Sequence, residues 1–563
     1  MTASSCASAA SAKGATPQQF DVVVVGAGFA GLYMLHRLRK LGLSSRVLEK
    51  GGDVGGTWYW NRYPGARCDV ESMQYSFSFD NELQQQWRWS ERFASQPEIL
   101  AYAQHVAERF DLKRDVQFQT TVLAAHYSEN QAQWDIQTNR GERLQARFCI
   151  MATGCLSSTR TPDFAGLAQF KGRFYHTGQW PHEPVDFTGQ RVGVIGTGSS
   201  GIQCIPMIAR QAEHLHVFQR TPNFSLPARN KGMTADYERH WKQNYVQLRR
   251  KAREETTSGT LYEKSPLKAH ETPSEERQRE YERRWQGGGA NFMHAFNDIL
   301  MDLRSNETAA DFVRSQIRST VRKPEVAHLL CPTDHPIGAK RICVDTDYYE
   351  TYNRDNVTLV NVREEPIEGF TQTGLKTRQA SYTLDSVVFA TGFDAMTGAL
   401  LGMDIRGRGG RGLAQAWEAG PKAYLGLMVA GFPNLFTVTG PGSPSVLSSV
   451  IFSIEQHVEW ISDCLKWMHE RGLHTMEASE EAQDQWVEHV NEVAHQTLYP
   501  QAASWYMGAN IPGKPRVFMP YVGGVVPYRE KCNEVAAKAY EGFLFTDKST
   551  AQALAIDQSG VVA

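Results

Sequence analysis

The stretch that decides the fold is residues 20–42, "FDVVVVGAGFAGLYMLHRLRKLG". The run Val22 to Val25 reads as a buried strand. A glycine turn follows at Gly26, Gly28 and Gly31, and Leu32, Leu35 and Leu38 then repeat at helical spacing. Each glycine has its own task. Gly26 permits the tight turn, Gly28 lets backbone approach a pyrophosphate, and Gly31 lets helix and strand pack closely. The helix start offers free N–H groups and the positive end of its dipole to phosphate. A second strand, within "SSRVLEK", closes the unit on Glu49.

The same order recurs at residues 190–220, "QRVGVIGTGSSGIQCIPMIARQAEHLHVFQR": strand, Gly196, Gly198, Ser199, Gly201, helix, strand. Glu49 stands 23 residues after Gly26, and Arg220 stands 24 after Gly196, so the units differ chiefly in the group that reads the ribose. An acid accepts hydrogen bonds from a ribose diol, as for FAD or NAD, whereas a guanidinium suits a 2′-phosphate. The second nucleotide is therefore expected to be NADP(H), the alternative being that Arg220 is a solvated strand end.

At 563 residues the chain exceeds a single core and calls for two or more domains. Its 59 basic and 61 acidic side chains nearly balance, which speaks against a nucleic-acid or membrane-surface binder and for small-molecule partners. The nine cysteines show no CxxC or paired spacing, as expected of reduced thiols in a cytoplasmic protein without a metal site. Residues 1–19 lack the apolar run of a secretory signal and read as a disordered tail. No apolar stretch reaches the ~18–20 residues of a membrane span, and the densest, "YLGLMVAGF" at 424–432, reads as a buried strand.

Two further runs organise the chain. "RFCIMATG" (147–154) and "SVVFATGFD" (386–394) are each a buried strand ending in Ala-Thr-Gly, the return strand by which a nucleotide domain hands the chain on. The expected fold is α/β, with two Rossmann-like dinucleotide-binding domains and a helical subdomain. A discontinuous FAD domain (20–156 and 391–563) holds an inserted NADP domain (157–225 and 335–390), and the helical subdomain spans 226–334. There the i,i+4 pairs Glu275–Arg279 and Glu280–Arg284 suggest a solvated helix face framing a substrate entrance.

Ahead of the second glycine turn stands "FKGRFYHTGQWP" (170–181), with Phe170, Gly172, His176, Trp180 and Pro181. It matches the FxGxxxHxxxW(P/D) pattern of type I Baeyer–Villiger monooxygenases. "GGTWYWNRYPGARCD" (55–69) matches that family's second signature, [A/G]GxWxxxx[F/Y]P[G/M]xxxD, at every specified position. The chain resembles this family from about residue 20 to 540, nearest the phenylacetone, steroid and cyclic-ketone branch. The resemblance implies FAD, NADPH and O2 converting a ketone to an ester or lactone through a flavin C4a-peroxide, with sulfoxidation as a further activity, in a monomer or weak homo-oligomer.

It also implies residue roles. Arg341, in "GAKRICVD", would be the fixed cation beside the flavin, held by Asp69. Arginine suits this task because it cannot lose its proton and presents a rigid fork of donors. Gly56, Thr57, Trp58 and Asp69 of the first signature would contact the cofactor. Lys340 would join Arg220 and Thr221 on the 2′-phosphate. Trp505 would sit on a loop that closes over NADP. His176 and Trp180 would couple cofactor binding to domain movement. Ser445, Val446 and Leu447 would line the ketone pocket, at the start of a helix with an apolar stripe of Leu447, Ile451, Ile454, Val458, Ile461 and Leu465. The competing readings are a flavin N- or S-oxygenating enzyme, whose pattern ends in Tyr or Phe where this chain has Trp180, and a non-catalytic flavin-binding sensor. A disulfide reductase would need a redox cysteine pair.

Overall fold

The computed structural model describes residues 17–549; most of the expected tail, with Cys6, lies outside them. The first strand is Gln18–Val25, so Gln18 and Gln19 belong to the sheet and not to the tail. It lies centrally in an eight-stranded sheet, flanked by Arg143–Met151 and Ser45–Leu48, both parallel to it. The second sheet has five parallel strands in the order Val357–Asn361, His214–Gln219, Arg191–Ile195, Ser386–Phe389, Arg173–His176. After Ser386–Phe389 the chain returns to the first sheet, where Asp404–Arg406 pairs with Val122–Ser128 and Leu435–Thr437 with Arg143–Met151. The first nucleotide unit is thus built from both ends of the chain, with the second inserted between them.

The two units share a finer design. Gly26 and Gly196 both take left-handed φ, +105° and +108°. A Cβ on Gly26 would stand 2.6 Å from the carbonyl oxygen of Ala152, and one on Gly196 would stand 2.5 Å from that of Ala390. Both carbonyls belong to the Ala-Thr-Gly return turns, so each turn packs on its own return strand. A Cβ on Gly31 would lie 1.9 Å from the Gly26 oxygen, and one on Gly201 2.3 Å from the Gly196 oxygen. In each unit an antiparallel three-stranded excursion precedes or forms the return. In the first it is Val122–Ser128, Gln133–Thr138 and Arg143–Met151; in the second, Ile367–Thr371, Gly374–Thr377 and Ser381–Thr383.

The helix Phe29–Lys40 buries Leu32, Leu35 and Leu38 in the same core as Ile451, Ile454, Val458, Ile461 and Leu465 of the long helix Val450–Glu470. Leu447 is not part of that stripe. Ser445–Leu447 forms a separate 3-10 turn, and Ser448, in extended conformation, breaks the chain before the helix begins at Val450. "YLGLMVAGF" is buried as expected but turns back on itself, with Leu425 at φ +55° and Gly426 at +67°, and Tyr424 bridges Met428.

The helices of 226–334 form a layer shared between two cores. Trp241 and Tyr245, on Ala235–Glu255, pack with the first unit, while Tyr281, Trp285, Phe312 and Val313 pack with the second. Its charge run is only partly a solvated face: Arg284 is buried, 2.7 Å from Glu280 and hydrogen-bonded to Asn291. Among the described residues, no helix is long and apolar enough to cross a membrane.

These contacts predict opposite outcomes for two glycines. Gly31→Ala forces a methyl into a backbone oxygen that cannot swing away, at about 1–3 kcal/mol. Gly198, at φ −83° with nothing within 4 Å of where a Cβ would stand, should accept alanine without loss of stability. Thermal unfolding followed by circular dichroism should show a clear drop for Gly31→Ala and none for Gly198→Ala.

Candidate active site

Both nucleotide helices, Phe29–Lys40 and Ser199–Ala209, have a glycine at the N-cap and no side chain bonded to their first-turn amides. Those N–H groups are free for a phosphate. Gly198 is exposed, and the first turn of its helix carries Ser199, whose hydroxyl lies 3.3 Å from the Cys343 thiol. Glu49 follows its strand as expected and is buried; its carboxylate accepts from the amides of Ala27 at 2.7 Å and Gly51 at 2.6 Å. Burial pushes this carboxyl up, and the two amides oppose that rise. The chemistry of the two ends fits a ribose diol at Glu49 and an anion at Arg220.

The first signature is a strap between the two units, which spacing alone does not disclose. At its start, a Cβ on Gly56 would come within 2.9 Å of the Gly28 Cα. Near its end, Gly65 takes φ +86°, and a Cβ there would come within 2.4 Å of the Gln203 carbonyl on the second nucleotide helix. Tyr63 donates to Gln203 Oε1 at 2.8 Å, and Gln203 returns a bond to the Arg67 carbonyl at 3.1 Å. Thr57 is exposed, whereas Trp58 is buried and donates its indole N–H to Tyr75 at 3.1 Å.

The strap ends in Asp69, and there the site closes. Arg341 Nη2 donates to Asp69 Oδ2 at 3.2 Å, and Nη1 donates to the Val446 carbonyl at 3.2 Å. One guanidinium therefore joins the first signature, the loop before Cys343–Asp345 and the turn Ser445–Leu447. About a third of the Arg341 side chain, 35 %, stays exposed, against 13 % for Asp69. Desolvation works against the Arg341 charge, but Asp69 and then Tyr506 outweigh it and hold the guanidinium above its ordinary range. Burial raises the Asp69 carboxyl, and Arg341 opposes that.

Nothing in the sequence marks Tyr506 as a site residue. Tyr506 packs in one cluster with Val446, whose carbonyl Arg341 holds; burial pushes its phenol up to about 12 and Arg341 pulls it down. Trp505, its neighbour, lies 4.3 Å away between ring centroids. Val446 packs with Met396, Tyr506, Phe518 and Met519 in a small cluster apart from the helix stripe, and Leu447 packs at its edge. The Ser445 hydroxyl points inward, to the Thr439 carbonyl at 3.1 Å and the Cys155 thiol at 3.0 Å.

His176 ends an edge strand of the second sheet. Its Nδ1 accepts from Gly178 at 3.0 Å and its Nε2 donates to the Arg160 carbonyl at 3.1 Å, a carbonyl that also accepts from Thr391 at 2.7 Å. Burial lowers its basicity. Arg160 in turn grips the Asn510 carbonyl at 2.6 Å, Asn510 donates to the Phe393 carbonyl at 2.7 Å, and Lys514 binds Asp394 at 2.6 Å. The loop carrying Trp505 is thereby tied to the second return turn. The buried Trp180 stacks on Tyr175, and its backbone N–H donates to the Trp60 carbonyl of the strap at 3.3 Å.

Arg220 is exposed and follows its strand; Lys340 is half-buried beside it, its basicity lowered by burial, relieved by Asp334 and lowered further by Arg363 and Arg220. Thr221 accepts a hydrogen bond from Arg363 at 2.9 Å. No group of three or more His, Cys, Asp or Glu among the described residues could hold a metal ion.

Two dinucleotide units clasped around one partly buried cation define a flavoprotein oxidoreductase with two nucleotide sites. Residues 19–265 match a family described as flavin-binding monooxygenase-like. A Baeyer-Villiger monooxygenase of Pseudooceanicola batsensis is 44% identical over 529 residues, covering 93% of this chain and 96% of that one. A phenazine N-monooxygenase of Lysobacter antibioticus is 43% identical, covering 93% and 97%. Among solved structures, an oxidized steroid monooxygenase bound to NADP is 52% identical, with a TM-score of 0.90 over 94% of this chain and 100% of that one. The chain belongs to the flavin-binding monooxygenases, in their type I Baeyer–Villiger branch.

Asp345, on the strand that carries on from Arg341, supplies a pH test. Its carboxylate binds Ser225 at 2.5 Å and the Tyr348 amide at 3.1 Å, and burial pushes it up to about 7. The unfolded value is ~3.9, so between these limits the folded state binds the proton more tightly and stability falls as pH rises, by up to about 1.4 kcal/mol per pH unit. Asp345→Asn should remove that slope. Denaturation curves at about pH 5 and about pH 8 should show the variant gaining on the wild type at the higher pH; an unchanged difference would contradict the assignment.

Proposed function

We propose that this enzyme uses FAD, NADPH and O2 to insert one oxygen atom beside a ketone carbonyl, giving an ester or lactone. The observation that carries the reading is the Arg341 cation, fixed by Asp69 and the Val446 carbonyl where both nucleotide units and the Ser445–Leu447 turn meet. FAD, reduced by NADPH, supplies the activation of O2. Among the described residues, the FAD domain comprises 18–156 and 391–549, the NADP domain 157–225 and 335–390, and the helical segment 226–334.

Each residue's place supports a task in that reaction. Glu49 holds a ribose diol, and Gly26, Gly28 and Gly31 bring the first helix start to the pyrophosphate. Gly56, Thr57 and Trp58 contact the same cofactor, with Gly56 packed close to Gly28. Gly196, Gly198, Ser199 and Gly201 do the same work for NADPH, and Arg220, Thr221 and Lys340 take its 2′-phosphate. Trp505 and the loop tied through Asn510 and Lys514 shut water from the nicotinamide side. His176 and Trp180 link that loop and the strap to the second sheet. Negative charge that develops on oxygen in the cleft is stabilised by Arg341, a permanent cation in a partly desolvated setting. Val446 and Leu447 face a ketone from the apolar side. The free cysteines, all buried among the described residues except Cys155, support a cytoplasmic enzyme.

The relative named phenazine N-monooxygenase supports a second reading, oxygenation of a nitrogen or sulfur atom, at the same site. Purified FAD-loaded protein given NADPH, O2 and a panel of ketones, sulfides and N-heterocycles tests both. Ester or lactone from a ketone supports the proposal; sulfoxide or N-oxide alone supports the second reading; no product from any class supports a sensor.

Arg341→Ala should still bind FAD and oxidise NADPH but lose ester formation by about 10²–10³, as expected when a preorganised charge is removed. Ketone turnover at the wild-type rate would show that the working cation lies elsewhere. Val446 gives a separate test of the pocket. Val446→Ala and Val446→Phe should reorder ketone preferences by about 1–3 kcal/mol in kcat/KM. Flavin reduction by NADPH should stay near the wild-type rate. A lower unfolding midpoint with unchanged relative preferences would make Val446 a packing residue only.

A further inference from the structure

We propose that Arg363, steadied by Asp334, is a specificity-determining residue of the 2′-phosphate site, where it adds a third cation and orients the Thr221 hydroxyl. The inference rests on the reading of Arg220, Thr221 and Lys340 as that site.

The sheet brings Arg363 there. Its strand, Val357–Asn361, runs parallel to His214–Gln219 with Asn361 opposite Gln219, and the Val362 amide continues the ladder onto the Gln219 carbonyl at 2.9 Å. The residue after Gln219 is Arg220 and the residue after Val362 is Arg363, so neighbouring strand ends deliver two guanidinium groups to one corner. The first unit offers an internal comparison. The edge strand in the same place, Val116–Gln117, leads into Phe118, Gln119 and Thr120 beside Glu49, with no cation.

Both hydrogens of one Arg363 nitrogen are used. Nη2 donates to Thr221 Oγ1 at 2.9 Å and to Asp334 Oδ2 at 2.5 Å. A threonine hydroxyl has one proton to give and two lone pairs to receive with. With a lone pair taken by Arg363, and no protein acceptor for the hydroxyl proton among the described residues, Thr221 can donate outward to an anion. Asp334 is itself fixed by His335 Nδ1 at 2.6 Å, and so limits the rotamers open to Arg363 before a ligand arrives. Arg220, Lys340 and Arg363 against the single Asp334 carboxylate leave two positive charges, which matches the roughly −1.5 to −2 of a phosphate monoester. The Arg363–Asp334 pair is half in solvent, at 50 % and 32 % exposure. Such a pair contributes little to folding, so its variants should fold.

The test is calorimetric binding of NADP+ and NAD+ to the FAD-loaded protein. Arg363→Ala should weaken NADP+ about tenfold and NAD+ less than about twofold. In a Thr221→Val background the same substitution should cost NADP+ markedly less, because part of its effect passes through the hydroxyl. Equal weakening of both nucleotides would reduce Arg363 to a structural role, and fully additive losses would remove the action on Thr221; either overturns the inference. Arg220→Ala is the control. If it too leaves the preference for NADP+ intact, the 2′-phosphate reading itself has failed; if Arg220→Ala loses the preference and Arg363→Ala keeps it, only the present inference has.

Discussion

One guanidinium holds the working parts together. Arg341 reaches Asp69 with one terminal nitrogen and the Val446 carbonyl with the other terminal nitrogen, and these groups belong to segments far apart in sequence. A cation placed in a protein cleft gives up hydration, which is tolerable only if fixed acceptors replace the lost water. The acceptors here are a carboxylate and a backbone oxygen, and both terminal nitrogens are engaged in holding the group still. About a third of the side chain stays exposed, so the charge is preorganised and still within reach of a ligand. The strap, the turn Ser445–Leu447 and the loop ahead of Cys343–Asp345 are consequently required to meet at one point.

The strap explains how they do so. Between Gly56 and Gly65 it passes from the first glycine turn to the second nucleotide helix, and at both contacts a side chain would strike backbone. A length fixed at each end by a glycine leaves Asp69 little freedom, and this is why the spacing in "GGTWYWNRYPGARCD" is as informative as its composition. The same logic governs each nucleotide unit. The turn glycine, the helix glycine and the Ala-Thr-Gly return are one packed contact, since Gly31 and Gly201 press on the oxygens of the glycines that press on Ala152 and Ala390.

Local patterns of this kind are legible in the sequence. The two glycine turns, the strand ends at Glu49 and Arg220, the return strands and the buried helix stripe from Ile451 onward all depend on contacts between residues close in the chain or on simple periodicity. Leu447 has the spacing of the stripe, yet the extended backbone at Ser448 separates it from the helix, and periodicity carries no information about such a break. "YLGLMVAGF" is apolar enough for a strand, but nothing in its composition announces left-handed φ at Leu425. Arg341 and Asp69 are identified by resemblance alone, because an arginine in a loop and an aspartate after a cysteine have no distinctive pattern. Tyr506 and Arg363 escape a reading of the sequence because each acquires its place through tertiary contacts that join segments more than a hundred residues apart.

The ties around Arg160 show how the two halves of the site can respond to each other. Its carbonyl takes hydrogen bonds from His176 and Thr391, both on the second unit, and its guanidinium holds Asn510 on the loop of Trp505 and Tyr506. Tyr506 stands beside Arg341. The second unit is therefore connected to the surroundings of the cation along two routes, through the strap by Gln203 and through this loop by Arg160. Hydrogen bonds of this kind are each modest in net strength, about 0.5–1.5 kcal/mol, so the connection can shift between arrangements without unfolding either core. Asp69 on the strap and Tyr506 on the loop thus connect the second unit to the surroundings of the Arg341 charge, which Asp69 and the Val446 carbonyl hold.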